Sequence, residues 1–277
     1  MPYSRLLTAQ AEVSMTDEGL SHAGQPRAGQ SRSSNGGFAS RPAAEEQATA
    51  PGLGPTMPGQ LTPSDLVLLQ RMPRYEEELD GVVRVQVRAP VDSKDAIRSA
   101  VAVAMLANEA AGALRLEVDQ KKVFFGLVTR ATLWIHQAGR AAQWPPGSIE
   151  ASLNEKICGE EFQRIGGAFA SVSDTIYGWI GKPSPDPWAR AMQRIMDSMV
   201  TRGLLDRVGV PKRVLKLYTV TLTHHVLPER TADLVMRQLA KSDQRLLETC
   251  QQDRPDVHDQ LLCQIGSGFS RRAEIPT

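Results

Sequence analysis

The stretch Pro187-Trp188-Ala189-Arg190-Ala191-Met192-Gln193-Arg194-Ile195-Met196-Asp197-Ser198-Met199-Val200-Thr201-Arg202-Gly203 decides how the chain is read. Trp188, Ala191, Met192, Ile195, Met199 and Val200 recur at i, i+3, i+4, which predicts an amphipathic helix with one face in a core. Asp186 before Pro187 is a good cap followed by a good first helical residue. Gly203 supplies the stop, and Leu204-Leu205 can fold back on the last turn. Beyond the stop, Val214 to Leu222 reads as a strand, with Val208-Gly209-Val210-Pro211 as the tip of a β-hairpin.

Upstream, the same order of helix, glycine and hairpin occurs once more. Ser93 to Ala111 is apolar on nearly every face through Ala100, Val101, Val103, Ala104, Met105, Leu106 and Ala107, which predicts a helix at the centre of a domain. Gly112 sits where a left-handed cap is expected. Leu114 to Val118 and Val123 to Val128 read as the two strands of a short hairpin around Asp119-Gln120-Lys121-Lys122. Thr62-Pro63-Ser64-Asp65 marks another helix start, Val82 to Val87 a strand, and Ile149, Leu153 and Ile157 one face of a further helix. Val172, Ile176 and Ile180 mark the next, and Pro228 opens a last one carrying Leu234, Val235, Leu239, Leu246 and Leu247. The expected fold is mainly α, a single compact helical domain with small β-hairpins over residues 61–265. Residues 1–60, dominated from Gly19 to Gly59 by Gly, Pro, Ser, Ala and Gln, read as a disordered low-complexity tail. Residues 266–277 read as a flexible C-terminus.

Composition bounds the function. Of 277 residues 41% are hydrophobic and 23% charged, with 32 Lys+Arg against 31 Asp+Glu. Whole-molecule attraction to nucleic acid does not follow from a net charge of +1. Three cysteines, Cys158, Cys250 and Cys263, do not suggest a disulfide framework and fit a reducing, cytoplasmic compartment. The longest apolar run, Ala100 to Ala107, is far short of the roughly 20 residues a membrane-spanning helix needs.

No catalytic signature stands out, and the chain is read as a non-enzyme without cofactor or metal. Phosphate-binding glycine loops and nucleophile elbows are missing, and Gly266-Ser267-Gly268 lacks the strand and helix that an elbow needs. His224 and His225 are adjacent on a strand and point to opposite faces. Cys250, His258 and Cys263 could converge on zinc, but their spacing fits no tight knuckle. Glu76-Glu77-Glu78 reads as a solvated acidic face. Charge is more informative: from Asp186 to Arg245 there are 11 Lys+Arg against six acids, a local excess of +5. Such a patch suits an anionic surface, either phosphate headgroups or nucleic acid, or is an ordinary solvated face.

Several runs, taken in order, resemble the Golgi phosphoprotein 3 family. They are Leu61 to Leu69, the core segment Ala104 to Glu117, Pro146-Gly147-Ser148-Ile149-Glu150, Trp179-Ile180, Pro187-Trp188, and Met199-Val200-Thr201-Arg202-Gly203-Leu204-Leu205. The resemblance spans roughly residues 61–250 and implies a helical fold with small hairpins. It implies a peripheral protein, at the Golgi in a eukaryote, that binds phosphatidylinositol 4-phosphate and the cytosolic tails of membrane proteins. The family's ligand-reading arginines fall near Val101 or Ala102 and at Ala189 and Met192. Arg98, Arg190 and Arg194 lie close by, and with Lys212 and Arg213 they are the candidate headgroup-binding residues. Val208, Val210 and Pro211 are the candidates for membrane insertion and self-association into a homo-oligomer. The alternative is a winged-helix-like nucleic-acid binder, in which a helix followed by a hairpin wing would meet the duplex.

Overall fold

The computed structural model describes residues 60–79, 82–123, 128–138, 142–159, 169–214, 218–239 and 245–273, with backbone alone at 79, 121–123, 128–130, 211–214, 218–220 and 239. The tail predicted over 1–60 lies outside these residues except at Gln60. Two units divide the chain; the one formed by 53–212 and 221–277 carries nearly everything described below.

At its centre is α2 (Ser93–Ala110), buried from Ala100 through Asn108 on every face. An all-round apolar helix can only be satisfied by neighbours on all sides. These are α1 (Pro63–Arg71), α3 (Ile149–Cys158), α5 (Pro187–Thr201), α7 (Arg245–Asp253) and α8 (Pro255–Ala273), with α4 (Val172–Ile180) lying along α8. The remaining helix, α6 (Glu229–Leu239), rests on α1.

Two antiparallel sheets complete the unit. One has the order β1-β2-β7-β6, from β1 (Arg74–Leu79), β2 (Val82–Val87), β6 (Asp206–Val214) and β7 (Tyr218–Val226). The other joins β3 (Leu114–Val123), β4 (Val128–Gln137) and β5 (Phe169–Ser171) in sequence order. Leu114, Leu116, Leu133 and Ile135 form the buried face of that second sheet. Eight helices and two sheets among the described residues make the fold mixed α/β, not mainly α as the sequence suggested. The helical periodicity was correct; the strands were underweighted.

Both glycine stops end their helices in the same hydrogen-bonded turn. Gly112 has φ 74° and Gly203 φ 69°, a region that costs an L side chain strain. The Gly112 amide donates to Glu109 O and that of Ala113 to Asn108 O; the Gly203 amide donates to Val200 O and that of Leu204 to Met199 O. Each pair satisfies carbonyls that the helix end leaves open. Leu204 and Leu205, 0% and 1% exposed, fold back into the core as expected.

Three boundaries differ from the sequence reading. Val208 to Pro211 lie within β6, not at a hairpin tip, and the expected strand Val214 to Leu222 is described only at Val214 and from Tyr218, in β6 and β7. β6 is the last strand of its sheet, where a proline's missing N–H is tolerated. The hairpin after Gly112 is likewise longer: Asp119 to Lys122 belong to β3, paired through Val123↔Val128. Finally, residues 266–273 are not a flexible end but the last turns of α8, with Phe269 0% exposed. Gly268 is the reason α8 fits: a Cβ there would lie 2.8 Å from Ile176 Cβ and 2.9 Å from Ser173 O.

Candidate functional site

The candidate headgroup residues start from α5. Asp186 caps it, its Oδ1 accepting from the Ala189 amide at 2.9 Å. Trp188, Ala191, Met192, Ile195, Met196 and Met199 are buried, and the Trp188 ring stacks on Phe269 at 3.7 Å. At 100° per residue, Arg190 and Arg194 stand roughly 200° and 240° round the helix from Trp188, hence on another face. Arg98, from α2, lies on the Trp188 side, its guanidinium 5.8 Å from that ring and paired with Asp95 at 3.1 Å. The structure therefore brings Arg190 and Arg194 together and gives Arg98 a separate setting.

Arg190 and Arg194 have a task inside the fold. Arg194 Nη1 donates to Trp179 O at 3.3 Å and Ile180 O at 3.1 Å. Arg190 Nη1 donates to Lys182 O at 3.1 Å and Pro183 O at 3.3 Å. Helix α4 has no basic residue in its last turn, and Arg194 supplies the positive charge and donors its C-terminus lacks, while Arg190 holds the chain just beyond it. Spacing on α5 showed two arginines on one face; it did not show that the face looks at the end of another helix.

Other basic residues of the +5 segment are similarly engaged. Arg202 binds Asp65, Arg207 pairs with Asp197, and Arg230 donates to Gly203 O at 3.0 Å. Val208 and Val210 are partly buried on β6, and Gly209 lies against Thr221. Pro211, Lys212 and Arg213 are placed on β6 by their backbone, and their side chains lie outside the described residues.

The two histidines of β7 meet different neighbours. His224 Nδ1 is hydrogen-bonded to Gln86 Nε2 and lies 3.6 Å from Glu77. Burial, and then the charge of Arg207, push His225 below the ordinary imidazole range. Cys250 is buried with its thiol raised by that burial, Cys263 is exposed, and His258 bonds Asp259 at 2.9 Å. Among the described residues no three metal-ligating side chains are grouped. The acidic run Glu76-Glu77-Glu78 lies in β1, with Glu77 opposite Arg84 of β2.

The most heavily bonded polar cluster was not singled out from the sequence. Thr62 and Asp65 cap α1 reciprocally: the Thr62 amide donates to Asp65 Oδ2 at 2.9 Å and the Asp65 amide to Thr62 Oγ1 at 3.4 Å. Arg202, at the end of α5, donates Nη1 to Asp65 Oδ2 at 2.7 Å and Nη2 to Asp65 Oδ1 at 2.6 Å. Glu150, in the first turn of α3, accepts from the Ser64 amide at 2.9 Å and the Ser64 hydroxyl at 2.8 Å. Asn108 of α2 closes the cluster, donating to Glu150 O at 3.1 Å and accepting from Trp144 Nε1 at 2.8 Å. Asp65, Glu150 and Asn108 are all 0% exposed. Ser64 and Asp65 looked like ordinary cap residues and Glu150 like an ordinary first-turn acid; nothing in the local pattern shows that two helix starts meet.

No family model, curated protein or solved structure matches this chain. Among the described residues no helix is long and apolar enough to cross a membrane.

Proposed function

We propose that the chain is a non-enzymatic peripheral membrane-binding module, similar to the Golgi phosphoprotein 3 family, that meets anionic headgroups through its β6–β7 hairpin. The observation that supports this reading is the distribution of positive charge. On α5 and its exit, Arg190, Arg194 and Arg202 bond acceptors of the chain itself, as does Arg207 at the start of β6. The segment 206–222 carries Lys212, Arg213 and Lys216 in sequence among Val208, Val210, Val214, Leu215 and Leu217, with Asp206 its only acid. Basic and apolar residues in one short segment suit a surface with anionic heads above an apolar interior.

Such a composition favours charge-driven binding over stereospecific reading of one headgroup. Full-length protein is expected to float with vesicles holding phosphatidylserine, and equally with phosphatidylinositol 4-phosphate at matched charge, but not with neutral phosphatidylcholine. At about 1 kcal/mol per basic residue near such a surface, Lys212→Gln with Arg213→Gln weakens binding by roughly 30-fold. Arg190→Gln leaves it nearly unchanged. Equal flotation on neutral and anionic vesicles overturns the proposal. So does salt-sensitive binding to duplex DNA that exceeds binding to anionic vesicles, which is the outcome the winged-helix-like alternative expects.

A further inference from the structure

Glu150 is a fully buried carboxyl at the meeting point of two helix starts. Among the described residues, the donors to its carboxyl are neutral: the Ser64 amide at 2.9 Å, the Ser64 hydroxyl at 2.8 Å and its own backbone amide. The nearby guanidinium does not serve it, since both terminal nitrogens of Arg202 bond Asp65. The charged group facing Glu150 from α1 is thus Asp65, of like sign, with Arg202 reaching in from the end of α5 to neutralise it. From α2 the facing group is the neutral Asn108. Around the start of α3 the other contacts are neutral too: the Ser198 hydroxyl of α5 donates to Gly147 O, and Trp179 of α4 donates to Ser152 Oγ. Two buried carboxyls with one cation favour a proton on the one the cation does not touch.

The hydrogen bonds can serve either state. Ser64 Oγ lies 2.8 Å from Glu150 Oε2 and 3.2 Å from Thr62 Oγ1. With Glu150 ionised, the Ser64 hydroxyl donates to it. With Glu150 protonated, the carboxyl donates to Ser64 Oγ, and the serine proton turns to Thr62 Oγ1. The serine amide bond to Oε1 is kept in both.

We propose that Glu150 is a proton-operated latch that fastens the start of α1 to the start of α3, closed while the carboxyl holds its proton and loosened when it releases it. Burial first, and then the charge of Asp65, push the Glu150 carboxyl from 4.5 up to about 7, against the lowering effect of the Ser64 bonds. A raised carboxyl gives stability that is fully present below the unfolded value of 4.5 and is lost as pH rises through about 7. From that difference, the folding equilibrium weakens by about 300-fold in all.

Urea unfolding of the full chain from pH 5 to pH 8.5 tests this against Glu150→Gln. Glutamine keeps the shape, accepts from the Ser64 amide and donates to Ser64 Oγ, so it copies the protonated state. The wild type is expected to lose stability relative to this variant by roughly 70-fold in the unfolding equilibrium between pH 5 and pH 8.5. Histidine contributions are common to both proteins and cancel in the difference. A second measurement needs no variant: in protein carrying 13C-carboxyl glutamate, one resonance is expected to titrate near neutrality. Hydrogen exchange, corrected for its intrinsic pH dependence, should show the amides of α1 opening more readily at pH 8 than at pH 6. Parallel stability profiles for wild type and variant, or glutamate carboxyls that all titrate below pH 5.5, overturn the proposal.

Discussion

Replacing Arg202 by Met is the perturbation that most sharply tests how the fold is held. The guanidinium joins the end of α5 to the start of α1, 137 residues apart, through two bonds of 2.7 and 2.6 Å to Asp65. Its side chain is 8% exposed and that of Asp65 is 0%. Methionine fills most of the volume but leaves Asp65 with only the Thr62 amide, beside the second carboxyl of Glu150. Stripping one partner from a buried pair costs about 3–5 kcal/mol, because the other charge stays buried without compensation. At 2–4 °C per kcal/mol for a folded unit of this size, Tm falls by roughly 6–20 °C. Urea unfolding followed by circular dichroism and tryptophan fluorescence measures the loss, with an unchanged m value confirming that the unfolding surface is the same. Asp65→Asn combined with Arg202→Met removes both charges together and is expected to recover at least 1 kcal/mol relative to the sum of the single losses. A loss below about 1 kcal/mol for Arg202→Met, or strictly additive losses in the double variant, refutes the view that the pair works as a unit.

Gly268→Ala, which improves helix propensity by about 1 kcal/mol in isolation, is expected to destabilise the protein by about 1–3 kcal/mol, because the new methyl meets Ile176 at 2.8 Å and backbone at 2.9 Å; an increase in the urea midpoint contradicts this. Arg194→Ala is expected to cost about 1 kcal/mol and to raise hydrogen exchange at the end of α4, since the carbonyls of Trp179 and Ile180 lose their donor; unchanged exchange there removes the capping role.

Where a segment's fate depends on its own pattern, the sequence was a good guide. The α5 stripe, the Asp186 cap and the glycines at 112 and 203 needed nothing beyond local spacing and sterics. β1 was obscure because three consecutive glutamates suit solvent better than a strand, yet in the ladder Glu77 stands opposite Arg84 and Glu78 opposite Val83 once β2 is beside them. Val208 to Pro211 looked like a turn because glycine and proline are turn residues, whereas an edge strand accepts both. The end of α8 was hidden by Gly266, Ser267 and Gly268, which weaken a helix alone, although Gly268 lets it approach α4. The polar cluster was the least legible, since its members are each an unremarkable cap residue and only the tertiary fold makes them one buried group.

Charge shows the same division between local and tertiary information. An excess of +5 over residues 186–245 is a property of the chain, but its meaning depends on which guanidinium groups find acceptors when the helices meet. Arg194 closes the end of α4, Arg190 holds the chain just beyond it, Arg202 answers Asp65, and Arg230 holds the carbonyl of Gly203. A basic stripe on a helix is therefore weak support for an external ligand until each cation is traced to its partner. In this chain that tracing takes α5 out of the case for an anionic surface, which then rests on the basic and apolar sequence of residues 206–222. It also separates two predictions that a count of charges would merge. Neutralising Arg194 should register in folding and leave vesicle binding nearly untouched, while neutralising Lys212 and Arg213 should register in vesicle binding. If Arg194→Ala abolished vesicle binding without changing the urea midpoint, the charge on α5 would belong to the ligand and not to the fold.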